Sequence, residues 1–194
     1  MEIYRILAKA VNLEGPLLDI GFGKGIFSSN ILSGMKDNKI TKRNFVAFDT
    51  FNKYGGKVHP RWAIDFKNNA INKAGLSTYI EFGLAEKHLP QVIKNYNPAI
   101  VHINLPTHDQ ILQALKKSLQ NIRHGALIVV DTNKDKTVKV VNKFCKENFL
   151  NFTLASEGDY SYIIKGDKIK TNKVNPLLQQ VGNTIKRERS VNLT

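Results

Sequence analysis

The sequence predicts an α/β fold, in which a mostly parallel sheet of seven strands carries helices on both faces and ends in an antiparallel hairpin. Two patterns predict it. Apolar runs alternate with amphipathic stretches along the chain, and the last two apolar runs are separated only by the turn EGD. Alternation is typical of right-handed crossovers in a parallel sheet, whereas so short a turn joins antiparallel strands. A hydrophobic content of 42% in 194 residues suffices for one sizeable core and is short for two domains.

The predicted strands are short and rich in branched and aromatic residues. The first is PLLDI at 16–20, whose continuous apolar run predicts burial on both faces. The others are predicted at 44–51, 77–84, 98–106, 126–132, 150–156 and 160–167.

The amphipathic stretches predict helices between these strands, at 26–36, 59–76, 109–125 and 135–149. Pro60 and Gly75 bracket the second helix, and Gly125 occupies a C-cap position for the third. We therefore assign residues 1–167 to one Rossmann-like domain. Residues 168–194 have weak periodicity and are predicted to form a basic tail.

Cysteine content and apolar runs limit where the protein is expected to work. Cys145 is the only cysteine, which excludes an internal disulfide and a cysteine-based metal site, and it is expected to pack inside the last helix. The sequence has no apolar run of 18 residues, and its first residues show no apolar core or small-residue cleavage site, so we expect no secretion signal. We expect a cytoplasmic protein with no membrane span.

The net charge of +13 has two interpretations. It either keeps a Lys-rich protein in solution or indicates a polyanionic partner. Residues 165–194 carry a net charge of +5, and the only dense basic block is KRER at 186–189. Nucleic acid is therefore a candidate partner, although not the favoured one.

Three alternating glycines follow the first strand, in DIGFGKG at 19–25. Ligands of open parallel sheets bind beyond the carboxyl ends of the strands, and a loop without Cβ atoms lets a ligand approach the backbone. The helix that follows directs its amide ends at the same place. Asp49 ends the second strand, where a carboxylate can accept both hydroxyls of a ribose. The GxGxG spacing differs from the dinucleotide pattern GxGxxG, and the sequence contains no GK[ST] phosphate loop.

DIGFGKG followed by FVAFD resembles the class I S-adenosylmethionine-dependent methyltransferases, over about residues 1–166. The resemblance implies S-adenosylmethionine as the cofactor, with Asp19 orienting its amino group and Asp49 its ribose. The other cofactor contacts that it implies are those of Gly21, Gly23, Gly25, Thr50, Leu84 and Ala85.

A closer similarity is to the macrocin-type sugar O-methyltransferases, which implies a small hydroxylated acceptor. The family's DTF is present at 49–51, and its segment after strand three is present at 83–90, with His88 where the family has Thr. Its strand-four acids are replaced by Asn104 and Pro106. At strand five Asp131 matches the first acid, and Thr132 replaces the second.

The family's divalent metal is held by those carboxylates, and one carboxylate with one amide is a poor site for a hard cation. We therefore expect no tight metal site. His108 becomes the favoured proton acceptor, since histidine changes its charge near neutral pH. Asp131 and His108 are both expected to act as acceptor-orienting or base groups, and Asn104 to position the acceptor by hydrogen bonding. His102 is expected to be buried within its strand.

Two alternatives remain. NLP at 104–106 is similar to the NLPY of ribosomal RNA adenine dimethylases, although Thr107 replaces the aromatic residue that would stack on a flipped base. The altered acceptor residues are also compatible with a methyltransferase-like protein that binds without catalysing.

Overall fold

The computed structural model describes part of the chain. The described residues are 15–26, 28–29, 44–50, 61, 64–65, 68, 78–131, 135–148, 150–154 and 160–164. Most of the two predicted helices at 26–36 and 59–76 lies outside these residues, as does the whole of the predicted tail at 168–194.

The strands form one sheet. Their bounds are β1 Leu17–Ile20, β2 Phe45–Asp49, β3 Thr78–Phe82, β4 Ile100–Ile103, β5 Leu127–Asp131, β6 Asn151–Leu154 and β7 Tyr160–Ile164. The strand order is β3-β2-β1-β4-β5-β7-β6. β1 to β5 pair in parallel, which confirms the predicted parallel α/β sheet, and β7 pairs antiparallel with both β5 and β6.

The order of the strands reverses at β1. Leu17 pairs with Phe45 of β2 on one side and with Ile100 of β4 on the other, in the same direction. The connection from β1 leads to β2, whereas the chain returns to the opposite side of β1 when it enters β4. Such a reversal opens a crevice at the carboxyl ends of the two central strands. The glycine loop that follows β1 is therefore at the place where this architecture binds ligands.

The described helices are α1 Ala85–Tyr96, α2 His108–Asn121 and α3 Asp135–Glu147. The sequence analysis did not predict α1, because Pro90 lies in its middle and proline normally ends a helix. The helix continues past Pro90 since Leu89, Val92 and Ile93 recur at helical spacing and are buried against the sheet.

α2 begins one residue earlier and ends four residues sooner than predicted. The Oγ1 atom of Thr107 accepts a hydrogen bond of 3.3 Å from the backbone N–H of Gln110, which caps the helix and makes His108 its first residue. Gly125 has a φ of +76° but lies beyond the C-cap, which is Ile122. The glycine therefore serves the turn into β5 and does not end the helix directly.

Both faces of the central strands are buried, as the unbroken apolar run of β1 predicted. On one face the side chains of the parallel strands pack against α1, α2 and α3. The other face is buried as well, at Leu17, Phe45, Ile100 and Val129. Asp19 and His102 lie on this second face, since side chains alternate along a strand.

Cys145 lies on the buried side of α3, as predicted. Burial raises the pKa of its thiol to about 12. A thiol in that state is a packing group and a poor nucleophile. In the part of the chain that the structure describes, no helix is long and apolar enough to cross a membrane.

Candidate cofactor and acceptor site

Gly21 is required by a close approach between the loops that follow β1 and β4. Its φ is +78°, and a Cβ atom built on it would lie 1.8 Å from the carbonyl oxygen of Asn104. The backbone N–H of Asn104 also donates to the carbonyl oxygen of Ile20, at 2.9 Å. The foot of the glycine loop is thus packed directly against the end of β4, where the acceptor residues were predicted.

The other two glycines of the loop differ in what surrounds them. A Cβ atom on Gly25 would lie 2.5 Å from the ring of Phe22, which is buried under the loop. A Cβ atom on Gly23 would meet only the carbonyl oxygen of Gly21, at 3.8 Å, among the described atoms. Among the described residues, only that carbonyl oxygen lies near a Cβ on Gly23, whereas Gly21 and Gly25 lack side chains because the protein itself fills the space.

Asp49 fastens the loop to the end of β2. Its Oδ2 atom accepts a hydrogen bond of 3.0 Å from the backbone N–H of Gly23. Its Oδ1 atom accepts bonds from the backbone N–H and the hydroxyl of Thr50, at 2.7 and 3.2 Å. The side chain is half-buried. We use the term glycine cradle for Gly21 to Gly25 together with Asp49; its shape is held by hydrogen bonds within the protein.

Asp19 lies beneath the cradle and is 1% exposed. Its Oδ2 atom accepts a hydrogen bond of 2.6 Å from the hydroxyl of Ser28, and its Oδ1 atom lies 2.8 Å from Nδ1 of His102. A carboxylate only accepts, so the Nδ1–H of the imidazole is the donor. His102 is buried, as predicted. A direct contact between Asp19 and a cofactor remains a prediction.

The segment after β3 lies beside Asp49. The backbone N–H of Gly83 donates to the carbonyl oxygen of Asp49 at 3.0 Å, which places Leu84 and Ala85 next to the cradle. The backbone N–H of Leu84 donates to Nδ1 of His88 at 2.9 Å. This bond needs an unprotonated Nδ1, so His88 is neutral here and carries its proton on Nε2. Sequence analysis noted His88 only as a departure from a family pattern; the structure shows that it caps the start of α1.

The predicted acceptor residues surround the same edge of the sheet. Asn104 is exposed directly after β4, and Asp131 is half-buried at the end of β5. Ile103 pairs with Val130, so Asn104 and Asp131 follow on neighbouring strands that lie about 5 Å apart. His108 is half-buried at the start of α2, four residues after Asn104. No hydrogen bond joins these three side chains among those that the structure describes.

Among the described residues, no group of three His, Cys, Asp or Glu side chains is arranged to hold a metal ion. The expectation that the site lacks a tight metal remains a prediction. Ile26, the first residue of the helix predicted at 26–36, is 69% exposed.

The sheet order and the helices that follow β3, β4 and β5 define the class I methyltransferase fold, and comparison with solved structures supports this assignment. No known protein family and no curated protein matches the sequence. CalS11, a TDP-rhamnose 3′-O-methyltransferase of calicheamicin biosynthesis, superposes with a TM-score of 0.66 at 12% identity, over 86% of this chain and 78% of CalS11.

Two further solved structures show how varied the proteins of this fold are. TomG, an O-methyltransferase from Streptomyces achromogenes solved in complex with S-adenosylmethionine, has a TM-score of 0.56 at 16% identity, over 86% of this chain and 80% of TomG. An rRNA methylase from Streptococcus thermophilus has a TM-score of 0.54 at 14% identity, over 84% of this chain and 94% of the methylase. At these identities the likeness shows the fold, and the site must carry any argument about activity.

Proposed function

We propose that this chain is an S-adenosylmethionine-dependent methyltransferase that methylates a hydroxyl of a small, sugar-like acceptor. The observation that carries the proposal is the hydrogen bond from the Gly23 N–H to Asp49. It holds a bare loop open at the reversal point of the sheet, where this fold binds ligands. CalS11, named as a TDP-rhamnose 3′-O-methyltransferase, and TomG, solved with S-adenosylmethionine, share the fold, and their names suggest which acceptor and cofactor to test first.

The residues of the glycine cradle fit a sulfonium nucleoside. The space above Gly23 accommodates the methionine part against bare backbone. The Oδ1 atom of Asp49 already accepts two hydrogen bonds from Thr50, so a ribose hydroxyl would donate to the carboxylate in exchange for the Thr50 hydroxyl, the longer of the two. Leu84 and Ala85 border the adenine. The resemblance implies that Asp19 orients the amino group, and the carboxylate oxygens of Asp19 are held for this by Ser28 and His102.

When bound in the glycine cradle, the cofactor would supply a methyl group on a positively charged sulfur, and the sulfur would keep the electron pair of the carbon–sulfur bond as the acceptor oxygen takes the methyl group. Asn104 and Asp131 position the acceptor hydroxyl by hydrogen bonding, which lowers the barrier through alignment. His108 takes the hydroxyl proton, and the products are a methyl ether and S-adenosylhomocysteine. No step needs a metal ion.

A second candidate is methylation of an RNA adenine. Asn104 is exposed at the end of β4 within Asn-Leu-Pro, and an rRNA methylase shares the fold. In this case the Asn104 side chain would accept a hydrogen bond from the target amine. Thr107 caps α2 and supplies no stacking surface for a flipped base, which favours the hydroxyl acceptor.

Methyl transfer to a panel of nucleotide sugars, TDP-rhamnose included, tests the proposal by mass spectrometry, with an adenine-containing RNA in parallel. Transfer to a sugar hydroxyl is expected, with and without EDTA. His108→Ala should lower kcat by about 10²-fold or more. Gln113→Ala, an exposed change further along α2, is the matched control. Transfer to the RNA alone would establish the second candidate, and activity abolished by EDTA would contradict the metal-free mechanism.

A further inference from the structure

Four lysines on α3 lie in one line along its solvent side. Lys136, Lys139, Lys143 and Lys146 are all exposed and are separated by three, four and three residues. At about 100° per residue they fall within an arc of about 80°, and at about 1.5 Å per residue they extend over about 15 Å. We call these four residues the lysine stripe.

The core fixes the direction in which the lysine stripe faces. Thr137, Val141 and Cys145 are buried on the opposite side of α3, so the helix cannot rotate the lysines inward. Among the described side chains of α3, the exposed ones are the four lysines and Glu147. The Oε1 atom of Glu147 lies 3.8 Å from Nζ of Lys143. Both side chains are largely exposed, so this ion pair contributes little to stability. The stripe therefore remains strongly positive.

We propose that the lysine stripe docks the protein on a nucleic acid strand by its phosphates. A nucleic acid strand presents its phosphates in a regular row, and a stripe about 15 Å long offers a lysine to each of several of them. Lysine is a flexible point charge that suits phosphates without reading sequence. The described outer side of α3 offers no apolar side chain for insertion into a lipid surface and no aromatic ring for stacking on a base.

Chain connectivity relates the stripe to the candidate site. α3 starts four residues after Asp131, so Lys136 lies at the site's edge of the sheet and the stripe runs away from it. A strand held there passes the mouth of the acceptor site. Docking goes beyond the proposed function, because it requires neither cofactor nor turnover.

Fluorescence anisotropy with a labelled 20-nucleotide RNA between 50 and 200 mM KCl tests the proposal. The test variant is Lys136→Gln/Lys139→Gln/Lys143→Gln/Lys146→Gln. The matched control removes the same charge elsewhere, as Lys87→Gln/Lys94→Gln/Lys116→Gln/Lys117→Gln. Loss of four phosphate contacts should reduce the slope of log K against log[salt] by about 3, and the control should change it by less than about 1. A DNA of the same sequence should bind within about threefold of the RNA.

Several results would overturn the proposal. Equal slope changes in the two variants would show diffuse attraction to the whole chain, and an unchanged slope in the stripe variant would show no contact. Binding to phosphatidylglycerol vesicles that depends on the stripe, without RNA binding, would make the partner a membrane. Circular dichroism and S-adenosylhomocysteine affinity should be unchanged in both variants, so that a failure here is distinct from a failure of the proposed function.

Discussion

A hydrogen bond of 2.8 Å joins the side chains of Asp19 on β1 and His102 on β4, and both residues are 1% exposed. The second carboxylate oxygen of Asp19 is bonded to Ser28, in the helix after the glycine cradle. One buried carboxylate thus ties together the foot of the cradle, the following helix and the strand that leads to Asn104. A buried carboxylate is costly unless it is well bonded, so each partner matters for stability.

His102→Leu should destabilise the fold by about 3 kcal/mol, because it leaves the buried carboxylate of Asp19 without one of its donors. His102→Asn should recover much of that loss, since its amide nitrogen can occupy the position of Nδ1 and donate to Asp19. Urea unfolding of the two variants measures both effects.

The Asp19→Asn/His102→Leu double variant controls for packing at His102. Because the neutral amide removes the buried charge, the double variant should be less destabilised than the two single changes add up to. Additive effects would show that the hydrogen bond between Asp19 and His102 does not stabilise the fold. The same would follow if the unfolding free energy of His102→Leu lay within about 0.5 kcal/mol of the wild-type value, as is usual for surface changes.

Gly21 and Gly23 should respond differently to alanine. Gly21→Ala would place a methyl group 1.8 Å from the carbonyl oxygen of Asn104, so the backbone must move and stability should fall by several kcal/mol. Gly23→Ala, at a φ of +55°, should cost only about 1–2 kcal/mol, because the methyl group enters open space. Thermal unfolding of both variants checks the order.

Gly23→Ala should affect cofactor binding more than it affects stability. A methyl group in the open part of the glycine cradle takes the space assigned to the methionine part, so Gly23→Ala should weaken S-adenosylhomocysteine binding at least tenfold while remaining folded. If Gly23→Ala binds with wild-type affinity, the ligand does not lie against this residue.

Tyr96 predicts a change of stability at high pH. Burial and the hydrogen bond that its hydroxyl donates to Glu81, at 2.5 Å, raise the pKa of Tyr96 to about 12, above its ordinary value of 10.0. The folded state therefore favours the neutral phenol. This contribution to stability is fully present below pH 10 and is lost as the pH rises through 12.

Comparing Tyr96→Phe with wild type isolates this effect, since other groups titrate equally in both proteins. The difference in unfolding free energy should be constant from pH 7 to 9 and shrink between pH 10 and 12. Tyr79→Phe is the control, because it keeps the aromatic ring whose centroid lies 5.3 Å from that of Tyr96. This variant should lose stability between pH 10 and 12 as the wild type does. A difference that does not change with pH would show that neither burial nor the hydrogen bond to Glu81 raises the pKa of Tyr96.

The cradle could be predicted from sequence because its pattern is local. Alternating glycines after an apolar strand require a bare turn, and Asp49 ends the next strand in the chain. The partners within it were not predictable, since the bond from Gly23 to Asp49 and that from His102 to Asp19 join residues 26 and 83 positions apart. No local pattern distinguishes a buried strand histidine that supports a carboxylate from one that only fills space.

Helix α1 was missed for a different reason. Pro90 is unfavourable in a helix interior, so local propensity disfavours a helix here. The helical spacing of the buried residues Leu89, Val92 and Ile93 favours one. Packing against the sheet outweighs that local cost. His88, which accepts the Leu84 N–H, helps to start the helix from within its own first turns and has no recognised sequence signature.

Calorimetric titration of S-adenosylhomocysteine into wild type and Asp49→Asn tests the central claim most directly. We predict one site per chain in the wild type, weakened by about tenfold or more in Asp49→Asn, since the amide accepts less well from ribose hydroxyls and from Gly23. Absence of binding to the folded wild type, or equal affinity in the two proteins, would contradict the assignment of the glycine cradle as the cofactor site.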